Sequence, residues 1–162
     1  MTAVSLRTTN LRDILFTPER PARYVAVAWV CTFFPALLLS SLVSSVVLEA
    51  AQPSFPFGNL VVFVLVVLFA PALETLIMGS ALLLLRRVVP DSWAAVLSAA
   101  GWGLAHSIQA PAWGLVIWWP FLIFSAAFLV WRQRSVWSAF ALVTALHSLH
   151  NLLPALGLLL GA

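Results

Sequence analysis

The sequence contains no lysine, a single cysteine and only five acidic residues. One thiol, Cys31, lying inside an apolar run, supports no intrachain disulfide and no cysteine metal cluster. A buried, inert thiol is the expectation. Eight arginines against five acids leave a net charge of +3 and a pI of 10.5. They are scattered, however, and build no continuous basic stripe with interleaved aromatics, which argues against nucleic acid as a partner. Charged residues make up 8% of the chain, hydrophobic residues 63%, and the mean hydropathy is +1.07. A water-soluble domain of that composition could not be solvated, so the solvent is a lipid bilayer. Hydrocarbon offers no partner for backbone N–H and C=O groups, and crossing ~30 Å of it takes about 20 helical residues. The composition therefore implies an all-α chain. There is no internal repeat and no low-complexity tract, and residues 1–162 read as one membrane domain, a polytopic helical bundle.

Residues 1–23 are polar and carry four arginines. Within them Leu11, Ile14, Leu15 and Phe16 recur at helical spacing between Asn10 and Pro18, opposite Arg12 and Asp13, which predicts a short interfacial helix. Five apolar runs predict transmembrane helices over 24–48, 60–85, 92–108, 112–130 and 136–160. The first run is too long for the core of a signal peptide and no cleavage site follows it, so it should be retained. Turn-forming residues (Gln52, Pro53, Ser54, Pro56, Gly58, Asn59) separate the first two spans. With five spans, all eight arginines fall on one side of the membrane, and the positive-inside rule then makes the N-terminus cytoplasmic and the C-terminus external. In a bacterium the location would be the inner membrane. Trp93, Trp131 and Trp137 lie at the arginine-bearing ends, where an interfacial belt belongs, whereas Trp118 and Trp119 lie mid-span and should pack.

Ionisable residues inside the bilayer are costly and usually face the bundle interior at functional sites. Glu74 lies twelve residues from Arg86, His106 fifteen from Asp91, and His147 and Asn151 twelve and sixteen from Ser135. At ~1.5 Å rise per residue these groups sit roughly 18 to 24 Å deep, in one layer contributed by three helices. His147 and Asn151 share a helix face, with His150 close to it. A carboxylate opposed to imidazoles can hold and deprotonate water, and an imidazole with a carboxamide can stabilise the oxyanion formed when water attacks a carbonyl. The set suits peptide-bond hydrolysis and needs no cofactor for it. Glu74, His106 and His147 could instead ligate zinc, leaving a position open for water. The plainer expectations are polar glue between helices for Asn151 and His147 and a carbonyl-bonded helix-end ring for His106. Thr75 should bond its own helix, and His150 reads as a spare, structural imidazole whose functional alternative is to orient a neighbour or ligate a metal. Pro71, Pro111, Pro120 and Pro154 should act as kinks, and Gly79, Ser80 and Ala81 should permit close helix contact.

Three segments, Ala70-Pro71-Ala72-Leu73-Glu74-Thr75-Leu76-Ile77-Met78-Gly79, Trp102-Gly103-Leu104-Ala105-His106 and His147-Ser148-Leu149-His150-Asn151, resemble in order and spacing the motifs of the CAAX-protease and bacteriocin-processing (CPBP or Abi) family of intramembrane proteases. The resemblance covers roughly residues 60–155. It implies that Glu74 and His106 activate water and that His147 and Asn151 stabilise the oxyanion, acting on a membrane-associated peptide or protein. Thr75 stands where the family has a second glutamate, and Gly79 where it has an arginine. Those departures frame the alternative, a non-catalytic binding or accessory subunit of a larger membrane complex that keeps the protease-like fold. A proton-coupled carrier using Glu74 is a third class, and five spans without an inverted repeat argue against it.

Overall fold

The computed structural model describes residues 10–47 and 59–160. The first nine residues, with Arg7, and the connection containing Glu49 and the turn formers at 52–58 lie outside them. The described chain is helical: α1 (Leu11–Phe16), α2 (Pro21–Val46), α3 (Asn59–Val64), a π-helical turn (Leu65–Phe69), α4 (Ala70–Leu85), α5 (Asp91–Gln109), α6 (Pro111–Trp131) and α7 (Val136–Leu160). α3, the π turn and α4 run on as one helix. Four helices, 21–46, 60–85, 111–131 and 136–160, are long and apolar enough to cross a membrane. The chain is an integral membrane protein with an all-α bundle. α5, expected as the third of five spans, is the least apolar of the long helices because Asp91, His106 and Gln109 lie in it, and it packs along α6 more extensively than any other pair.

Helix ends follow local chemistry. Pro21 and Pro111 occupy first-turn positions whose N–H would be unsatisfied in any case. Ala110, preceding Pro111, is extended, and this breaks α5 from α6. Pro111 therefore starts a helix rather than kinking one. α1 lies against α2 and α6 with Leu11 and Phe16 outward and Leu15 against the core, as an interfacial helix should.

The core is aromatic and fills the half of the bundle nearest the arginines. Tyr24, Leu82, Phe128, Trp131 and Val143 are buried there, with Tyr24 edge-on to Trp131 at 5.4 Å. Small residues set the helix approaches. A Cβ on Gly114 would collide with Ser107 and the Gly103 carbonyl, so α5 and α6 meet at the closeness that glycine permits. A Cβ on Gly79 would fall 2.5 Å from the Phe128 ring and 2.7 Å from Phe140. At the arginine-bearing end, Asp91 accepts from Arg132 Nη2 at 2.6 Å and Arg86 Nε at 3.3 Å, tying the ends of α4, α5 and α6 together. Burial alone would raise the Asp91 carboxyl, but the hydrogen bond and charge of Arg132, with those of Arg86, hold it below the usual carboxylate range.

Prolines inside helices orphan backbone carbonyls, and two of these have found side-chain donors across the bundle. Pro35 removes the N–H that would serve the Cys31 carbonyl, and Trp119 Nε1 donates to it at 2.9 Å. In the π turn the Ala70 N–H bonds Leu65 O, five residues back. The next donor in that register would be residue 71, which is proline. The Val66 carbonyl is served instead by Asn151 Nδ2 at 3.0 Å. Cys31 itself is half-buried on α2 rather than sealed in the core.

Candidate functional site

Glu74 stands one turn beyond Pro71 on α4. The π turn before it adds a residue to the helix and so rotates everything that follows by about 100° relative to a regular α-helix. That rotation sets which face Glu74 shares. Its side chain is 23% exposed, and its Oε2 lies 3.6 Å from His147 Nε2, an ion-pair distance that falls just beyond a direct hydrogen bond.

His147, 4% exposed, is fixed by aromatic walls: Phe124 lies 4.5 Å from it at a shallow tilt and Phe121 5.4 Å away edge-on. Its Nδ1 is buried without a hydrogen-bond partner. His106, on the last turn of α5, places Nδ1 2.9 Å from the Trp102 carbonyl. A carbonyl only accepts, so Nδ1 carries the proton and Nε2 of the neutral ring keeps its lone pair. Trp113 and Phe121 hold that ring at 4.8 and 5.6 Å. The expected carbonyl-bonded histidine and the expected site histidine are thus the same ring, with one nitrogen for each role. His150 is buried edge-on between Phe33 and Phe124, and its Nδ1 also lacks a partner.

Glu74, His106, His147, His150 and Asn151 all line one cavity of about 570 Å³. The structure brings together the candidate site residues Glu74, His106, His147 and Asn151, with His150 beside them, and two pairings differ from those expected. The imidazole within ion-pair distance of Glu74 is His147, whereas His106 makes no such contact. Asn151 directs one amide hydrogen to the Val66 carbonyl and retains a second hydrogen and its oxygen for other partners. Thr75 does not bond its own helix: it is 1% exposed and its hydroxyl has no partner. Sequence reasoning missed the π turn, the Phe121 and Phe124 walls, and the part of α2 that lines the cavity. Only Pro71 signalled the first of these.

Among the described residues no three His, Cys, Asp or Glu side chains are grouped as a metal site, so the zinc set Glu74, His106 and His147 gains no support from the side-chain arrangement. Comparison with protein-family models, with curated proteins and with solved structures gives no match.

Proposed function

We propose that the chain is an intramembrane peptidase of the CAAX-protease type, hydrolysing a membrane-associated peptide by direct attack of water. One observation carries this reading: a carboxylate and three imidazoles from three helices share a cavity inside a bundle whose solvent is lipid, with Glu74 3.6 Å from His147. In the proposed reaction water sits between Glu74 and an imidazole lone pair, and its proton passes to the carboxylate as its oxygen attacks the peptide carbonyl. The free Asn151 amide hydrogen and an imidazole N–H stabilise the oxyanion. Glu74 then returns the proton to the departing amine, so the carboxylate is regenerated and no acyl-enzyme forms. With the arginine-bearing ends in the cytoplasm, the C-terminus is external and the bacterial inner membrane is the setting.

Two observations favour a second reading, a non-catalytic binding or accessory subunit of a larger membrane complex. Phe128 and Phe140 close around Gly79 and leave no room for the arginine that the resembled family carries there. Asn151 already serves a backbone carbonyl. The test is cleavage. Protein reconstituted in liposomes is incubated with membrane-anchored peptides, and new termini are sought by mass spectrometry. Cleavage by the wild type that Glu74→Gln abolishes supports the peptidase; equal products or none from both proteins leaves the binding reading.

A further inference from the structure

The cavity occupies only one half of the bundle. Its lining comes from Phe33 to Ser44 in the second half of α2, from Val66 to Glu74, from His106 in the second half of α5, from Ala112 to Phe121 in the first half of α6, and from His147 to Leu158 in the second half of α7. Each of these is the half remote from the arginines. In the other half the buried core lies between Glu74 and the Arg86–Asp91–Arg132 tie, and the groove there, between the first halves of α2 and α7, is lined by none of the site residues. A route from Glu74 to water therefore leads to the arginine-free face.

The serines of α2 mark the same route. Ser41 and Ser45 donate back to the Leu37 and Leu42 carbonyls at 3.0 and 2.7 Å, which is how a hydroxyl satisfies itself in lipid. Ser40 and Ser44, four residues apart on the cavity face, form no hydrogen bond among the described residues. Deeper in, His150, 8% exposed, has an unpartnered Nδ1. Pro120 and Pro154 remove the donors that would serve the carbonyls of Val116 and His150 in α-helical register, and both residues line the cavity. Such a wall offers acceptors to a chain that brings N–H groups. No arginine lines it, and its one formal charge is Glu74, so an anionic ligand finds repulsion and no counter-charge.

We infer that the site is served from the arginine-free, extracytoplasmic face, and that its substrate is an extended, uncharged peptide segment entering past Val43, Ser44 and Leu158. From His147 to Leu158 α7 rises about 16 Å, which holds about five extended residues at ~3.3 Å each. The scissile bond lies that far inside the entrance. The assignment of hydrolysis rests on the peptidase reading above; the route and the ligand class do not.

The experiment labels single cysteines in a Cys31→Ala background with a membrane-impermeant sulfonated maleimide, using vesicles of known orientation. Ser44→Cys and Ser40→Cys should label from the face opposite the one that labels Arg87→Cys, and Ser41→Cys, turned to lipid, should label at least tenfold more slowly. An uncharged Ala/Leu/Ser decapeptide amide should slow Ser44→Cys labelling several-fold, and the same peptide with two aspartates should not. Labelling from the Arg87 face, resistance of both Ser40→Cys and Ser44→Cys from both faces, or equal protection by the aspartate peptide would overturn the inference. Because Glu74→Gln should label identically, the expected labelling without peptide cleavage would remove the peptidase reading alone.

Discussion

Removing the Asn151 amide should destabilise the bundle, and by an amount that depends on a residue 80 positions earlier in the chain. Asn151→Ala leaves the Val66 carbonyl without a donor, because residue 71, next in the π register after the Ala70–Leu65 bond, is proline. A buried acceptor left unsatisfied costs about 1–3 kcal/mol, and interhelical side-chain hydrogen bonds in membranes are worth about 0.6 kcal/mol on average and at most about 1.7. With no backbone donor to replace it, this bond belongs near the upper figure, so Asn151→Ala should cost about 1.5 kcal/mol. Pro71→Ala restores an N–H that can serve the orphaned carbonyl, and in that background the same substitution should cost less than about 0.5 kcal/mol. The coupling, about 1 kcal/mol, is read from a double-mutant cycle of reversible unfolding in mixed micelles. Equal costs in the two backgrounds would refute the claim that Pro71 makes the carbonyl dependent on Asn151.

Thr75→Val replaces a buried, unpartnered hydroxyl with a methyl of similar shape and should be neutral or raise thermal stability in detergent by up to about 1 kcal/mol; a loss of more than that would mean the hydroxyl is bonded. Gly79→Leu drives a side chain into Phe128 and Phe140 and should cost about 1–3 kcal/mol, measured by the same unfolding assay. Because the Asp91 carboxyl titrates below its unfolded value, its contribution to stability is present above the unfolded pKa of about 4 and is lost as pH falls through the folded value. Unfolding followed from pH 6 to pH 3 should therefore show an acid-side loss that Asp91→Asn abolishes.

The bundle was legible because its punctuation is chemical. Arg86 and Arg87 stop one span, Pro111 starts another, and observed helix limits fall within three residues of those expected from the apolar runs. The polar layer was legible for the same reason: a glutamate and three histidines among aliphatic neighbours have few tolerable positions. What remained hidden depends on phase and on contacts distant in sequence. Pro71 read as a kink, but the π turn before it, which fixes the direction of Glu74, follows from how the orphaned Val66 carbonyl is satisfied by a residue on α7. The pairing of Glu74 with His147 rather than His106 follows from that rotation and from the Phe121 and Phe124 walls. α5 illustrates the opposite case: the helix stands at Asp91–Gln109, close to the span expected over 92–108, and what the sequence did not display is how extensively it packs along α6. Nor does the sequence distinguish Ser41 and Ser45, which bond to their own helix, from Ser40 and Ser44, which line the cavity.

The most direct test of the central claim is a density map of the protein in a lipid nanodisc, fine enough to place water. The hydrolytic arrangement predicts an ordered water within hydrogen-bond reach of the Glu74 carboxylate and of an imidazole nitrogen of His106 or His147. A dry gap between those groups, or Glu74 turned outward to lipid with the histidines apart, would contradict it.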